Sequence, residues 1–140
     1  MIFWTTYLKV ISLFFAFLGI LWAVIGSFDP FGFYDSMMAQ SFFQQEQLPA
    51  DVKKATQFIL APFGATSAGY FILQYLITVH AFSKKEKWAW QTIFGAFTFW
   101  FLLDSTLSIY HGAWFNLLLA NIPALLLTLP VMIFSRKYFY

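Results

Sequence analysis

From Trp88 to Ser135 a single residue, Asp104, carries a formal charge, and between Lys9 and Asp29 there is none. Runs of this length cannot face water along their course. In an apolar solvent the backbone must satisfy its own amides, and a continuous rather than alternating apolar run does so as a helix. Composition agrees: hydrophobic residues make up 61% of the 140 and charged residues 10%, against roughly 45–50% and 25% in ordinary soluble domains. The expectation is an all-α integral membrane protein.

About 20 apolar residues cross a hydrocarbon core, and on that measure the chain divides into four spans. The first covers about 7–26, with Lys9 able to reach the headgroups from its end. It is longer than a signal-peptide core and no small-x-small cleavage site follows, so it reads as a retained anchor. The second covers about 57–82, with Pro62 and Gly64 suggesting a kink near its start and Asp51, after Pro49, its cap. The charge-poor stretch from Trp88 holds two more, divided at Tyr110-His111-Gly112 into about 88–110 and 114–134, glycine supplying the helix stop and Trp114 an interfacial restart.

Lys9, Lys84, Lys85, Lys87, Arg136 and Lys137 fall on one side of such a four-helix bundle. The other side holds Lys53 and Lys54 among Asp29, Asp35, Glu46 and Asp51. The positive-inside rule then puts both termini in the cytoplasm. In the outer loop, 27–56, Asp29-Pro30-Phe31-Gly32 reads as a turn. Tyr34, Met37, Met38 and Phe42 recur after it at helical spacing, an amphipathic helix lying in the interface either on lipid or as the cap of a pocket. Phe43 falls on its polar side.

A charge within a bilayer costs about 2.5–3.5 kcal/mol on insertion scales, which makes Asp104 the first functional candidate. Trp100, Asp104, Ser108 and His111 share a helical stripe. At 1.5 Å per residue Asp104 lies about 9 Å below the outer end of its helix. Counting depth in the same way selects Asn121 as its better partner, with Asn116 nearer the surface, Thr66 of the second span at a similar level, and Tyr70 and Gln74 continuing the same face deeper at i+4 and i+8. The expected polar cluster is therefore Asp104, Ser108, Asn116, Asn121, Thr66 and Tyr70. One reading is that it holds helices in register by hydrogen bonds of about 1 kcal/mol each; the other is that it meets a ligand.

Other chemistries are excluded or weakly supported. With no cysteine, thiolate metal sites, iron–sulfur clusters and thiol redox chemistry are out. His80 and His111 lie at opposite ends of their spans and cannot share a metal or haem, so no metal or cofactor is expected. A net charge of +2 without a basic, aromatic-interleaved run argues against nucleic acid. Ala61, Ala65 and Gly69 form a small-residue stripe suited to close helix approach, and Pro123 and Pro130 are expected to bend the last helix. Trp4, Trp88, Trp90 and Trp114 are placed as interfacial anchors.

Phe63-Gly64-Ala65-Thr66, Lys87-Trp88-Ala89-Trp90, Trp100-Phe101-Leu102-Leu103-Asp104-Ser105, then Ser108, Gly112, Asn116, Asn121 and Pro130 form a pattern. It resembles small bacterial four-helix membrane proteins of the DoxX-like kind, most of them uncharacterised. The resemblance covers most of the chain from Phe63 onward. It implies a bacterial inner-membrane bundle and names no reaction. A sterol-isomerase-like family is a further comparison, but its paired acidic and histidine residues inside the bundle are not matched here.

Three functional expectations follow. The first is a non-enzymatic protein that binds a hydrophobic small molecule or serves as an accessory subunit of a larger membrane complex, in contact with membrane lipid. The second is an enzyme on a lipid- or quinone-like substrate, with Asp104 as proton acceptor assisted by Tyr70 or His111. The third is a proton-coupled small transporter, for which no half-repeat is present.

Overall fold

The computed structural model describes residues 1–25, 29 and 31–140, and among them every regular element is helical. Helices α1 (Ile2–Ile25), α2 (Phe33–Phe43), α3 (Ala50–His80) and α4 (Lys87–Tyr110) are followed by the composite α5 (Trp114–Tyr138). Within α5 an α-turn at Trp114–Asn116 leads into a wide π-turn at Leu117–Asn121, α-helix over Ile122–Ser135, and a closing 3₁₀ turn at Arg136–Tyr138.

The expected spans map onto α1, α3, α4 and α5 with shifted edges. α1 begins at Ile2, ahead of position 7; its expected end at 26, and Pro30 of the expected turn, lie outside the described residues. α3 starts at Ala50 with Pro49 in the cap position rather than Asp51. The fixed proline φ already suits a helix entry, and Asp51 sits in the first turn, where the helix dipole favours a carboxylate.

Three helices, α1, α4 and α5, are long and apolar enough to cross a membrane, with mean hydropathies of 2.4, 1.4 and 2.3. α3 is the longest, at 31 residues. Pro62, Gly64, Thr66, Ser67, Gly69, Tyr70 and Gln74 dilute its middle, and it does not join the apolar three. The four alike spans expected from the charge-free runs are thus three apolar helices and one long mixed helix.

α1 shows how these helices invert the order usual in water. Its buried stripe is Thr5, Leu8, Ser12, Ala16 and Gly19, small or polar apart from Leu8, while Val10, Leu13, Phe14, Phe17, Ile20 and Val24 face outward. A soluble amphipathic helix does the opposite. The buried stripe packs along α3 in antiparallel register. Trp22 meets Phe63 at 5.8 Å between ring centroids and Phe15 stacks on Phe71 at 5.0 Å. Gln74 Nε2 donates to Ser12 Oγ at 3.0 Å, and Leu8 joins Ala81 and Phe82 in one buried cluster.

Closest approach falls at Gly19 and Gly64, beside Ala68. The expected stripe of Ala61, Ala65 and Gly69 is one residue out of phase: Ala65 is exposed and a Cβ on Gly69 would meet nothing within 4 Å. One residue is about 100° of helix rotation, enough to move a stripe from a contact to an open face.

The cluster around Leu8, Phe82, Ala89, Phe94 and Val131, with Met1, Trp4, Trp90 and Phe139 packed on it, gathers the start of α1, the end of α3, the start of α4 and the end of α5. Both chain ends and the lysine-bearing turn at 84–87 therefore share one end of the molecule. α2 and the turn at 111–113 lie at the other.

Candidate functional site

The site begins with the turn between α4 and α5. Gly112 adopts φ +70, the left-handed region that glycine enters without steric cost. Ala113 N donates to Ser108 O at 2.8 Å and Gly112 N to Ile109 O at 3.1 Å, which closes α4 and sends the chain straight back. Asn116, two residues into α5, then faces α4. Its Nδ2 donates to Asp104 Oδ2 at 2.9 Å and to Ser108 Oγ at 2.8 Å. Because Asp104 and Ser108 are one turn apart on the same face, one amide with two hydrogens serves both.

Asn121, fully buried, donates from Nδ2 to Ser105 Oγ at 2.9 Å, while its Oδ1 has no hydrogen-bond partner. It sits in the π-turn, where Ile122 N reaches back five residues to Leu117 O. Pro123 explains the widening. Proline has no N–H for the carbonyl four residues earlier, Leu119, and its ring crowds that carbonyl. The bend expected at Pro123 takes this form.

Four of the six expected cluster residues are therefore brought to the α4–α5 contact, with partners exchanged. Asn116, not Asn121, holds Asp104, and Asn121 holds Ser105. Counting depth along two helices places residues at a level but not around the axis, and the π-turn changes the rotation of Asn121 relative to a regular helix. Thr66 and Tyr70 are not brought in. The Thr66 hydroxyl donates to Pro62 O of its own helix at 2.9 Å, Tyr70 is 36% exposed against Phe71, and no hydrogen bond links either to Asp104. α3 spends its packing face on α1 and approaches α4 little. His80 and His111 are both exposed, and among the described residues no three metal-ligating side chains converge.

Two residues join that the depth count did not select. Ser105 is one. The other is Tyr34 on α2, whose phenol is pushed up to about 12, first by burial, then by the negative charge of Asp104, then by that of Asp35. Its recurrence with Met37, Met38 and Phe42 at helical spacing was the available signal.

α2 is fastened in place. The Asp29 carboxylate accepts from Asp35 N at 2.9 Å, Lys53 pairs with Asp35 at 3.2 Å, and Tyr34 and Phe42 meet Phe115 edge-to-face at 5.0 and 5.9 Å. A recess of about 210 Å³ lies against α2, lined by Trp22, Asp29, Phe33, Tyr34, Leu60, Leu119 and Ala120. Tyr34 thus belongs to the recess and also lies within the field of Asp104.

No family model, curated protein or solved structure matches this chain.

Proposed function

We propose that the chain is a polytopic bacterial inner-membrane protein of four crossing helices that binds a hydrophobic small molecule in the recess under α2. The fourth crossing, α3, is supported by its side-by-side register with α1 from Trp22–Phe63 down to the Leu8–Phe82 cluster. If α1 crosses, the segment of α3 beside it crosses too. An even number of crossings suits the gathering of both chain ends with Lys84, Lys85 and Lys87, and the lysine and arginine excess there puts that end in the cytoplasm. The DoxX-like resemblance fits this architecture and leaves the ligand open.

The observation that carries the binding reading is Tyr34. A largely apolar recess with the Tyr34 phenol and the Asp29 carboxylate on its lining offers a greasy body polar attachment at one side, the usual make-up of a small-molecule site. The test is to extract the purified protein with organic solvent and identify what co-purifies by mass spectrometry. A hydrophobic molecule held by the wild type and lost from Ala120→Trp, which fills the recess, supports the reading; equal retention by both refutes it.

The enzymatic reading has one observation in its favour. Asp104 takes its hydrogen bond from a neutral amide and has no cation partner among the described residues. On this reading Asp104 accepts a proton from a lipid- or quinone-like substrate, and Tyr34 takes the assisting part, since Tyr70 and His111 point elsewhere. Turnover that survives Asp104→Asn would end it.

A further inference from the structure

The lysine-rich end holds a second recess, about 190 Å³, between the start of α1 and the turn after α3, lined by Met1, Ile2, Thr5, Thr6, Lys9 and Ser83. Of the buried hydroxyls among the described residues, Ser12 and Thr78 donate to the carbonyl one turn back in their own helix, and Ser108 and Ser135 accept from Asn116 and Trp90. Thr5 has no such partner. It is only 8% exposed, it lines the recess, and its hydroxyl makes no hydrogen bond among the described residues.

Lys9 stands one turn further along the same face, half-buried, and forms no ion pair among the described residues. Lys84, Lys85, Lys87, Arg136 and Lys137 belong to the same end of the molecule, where Lys87 and Arg136 lie over the Tyr140 ring and Glu86 accepts from the Trp88 indole. An unused hydroxyl donor and an ammonium without an ion pair stand at i and i+4 on one wall of the recess, an arrangement suited to an anion. The donor pair fits the oxygens of a phosphate, which takes charge-assisted hydrogen bonds well.

We propose that this recess binds a phosphate group, with Thr5 donating from its hydroxyl and Lys9 neutralising the charge. Its position at the basic end of the helices favours an anionic phospholipid headgroup as the source. That choice of source rests on the membrane reading, whereas the phosphate chemistry does not.

The experiment uses the full chain in neutral detergent, titrated separately with phosphatidylglycerol, phosphatidylcholine and inorganic phosphate, and read by phosphorus NMR. Saturable binding of phosphatidylglycerol is expected. It should weaken about tenfold in Lys9→Gln, the loss of one charged partner. It should weaken less in Thr5→Val, survive in Lys9→Arg, and be unchanged in the basic control Lys137→Gln. Binding of inorganic phosphate with the same dependence on Lys9 also supports the site and assigns it to the free anion. Phosphatidylcholine binding as well as phosphatidylglycerol, Lys137→Gln weakening binding as much as Lys9→Gln, or no phosphate-bearing probe binding at all would overturn the proposal. Carbonate extraction of membranes tests the membrane reading separately, so a chain released by carbonate leaves the inorganic-phosphate arm intact.

Discussion

Gly19 and Gly64 meet backbone to backbone: a Cβ on Gly64 would stand 2.7 Å from the Gly19 carbonyl oxygen and 2.6 Å from the Ala23 amide nitrogen. Neither atom can swing aside as a side-chain tip does. Gly64→Ala must therefore push α1 and α3 apart, at a cost of about 1–3 kcal/mol. Gly69→Ala, on the open face, should instead stabilise the helix by roughly 0.5–1 kcal/mol through the lost flexibility of glycine. Thermal unfolding in detergent reads both, and the opposite signs are the prediction.

Asn116 is the one side chain that ties Asp104 and Ser108 to α5. Asn116→Leu leaves Ser108, 6% exposed, and Asp104 without that donor, and should cost about 1–3 kcal/mol. Thr66→Val should stay within about 0.5 kcal/mol, because the Thr66 hydroxyl bonds only within its own helix. Equal losses at the two positions would return Thr66 to the cluster.

How far these contacts were legible depends on which coordinate they need. The charge-poor runs around Leu13, Leu103 and Leu125 mark where helices run, and the lysines at 84, 85 and 87 mark which ends gather. Both are one-dimensional quantities. Which face of α3 meets α1, or which asparagine meets Asp104, is a matter of rotation about a helix axis. Small residues occur on both sides of α3, at Gly64 and Ala68 as well as Ala65 and Gly69, so spacing alone does not choose. The π-turn adds a rotation that no regular 3.6-residue period contains. Tyr34 shows the same limit between elements, since its nearness to Asp104 requires knowing that α2 folds back over Phe115.

The Tyr34 phenol gives a pH signature. Its pKa rises from 10.0 to about 12 in the folded chain, so its contribution to stability is complete below pH 10. Above that the unfolded chain releases the proton first, and the contribution is lost as pH climbs through the folded value. Tyr34→Phe should flatten the fall in stability across this window relative to wild type. Asp104→Asn should lower the Tyr34 midpoint only partway, since burial is the larger cause. Phenolate absorbance measured during alkaline titration checks both.

With no native cysteine, single introduced thiols report topology without background. Gln45→Cys, just past α2, should react in intact cells with a membrane-impermeant maleimide. Ser83→Cys, in the lysine-bearing turn, should react only after the membrane is opened. Labelling of both positions from outside would contradict the four-crossing arrangement and the assignment of the basic end to the cytoplasm.

Pro123 sets the rotation of Asn121, and through it the contact with Ser105. Pro123→Ala supplies the N–H that Leu119 O lacks, which allows the π-turn to relax to an α-turn and shifts the preceding residues by about 100° relative to the rest of α5. The Asn121 amide then leaves Ser105. The substitution sets a regular helix gained against a buried hydrogen bond lost, so the informative quantity is the coupling between Ser105 and Asn121. A double-mutant cycle of Ser105→Ala and Asn121→Ala should show about 0.5–1.5 kcal/mol of coupling in the wild-type background. In Pro123→Ala the same cycle should show close to none. Coupling that persists there would mean that packing from α4, and not the proline, holds Asn121 in place.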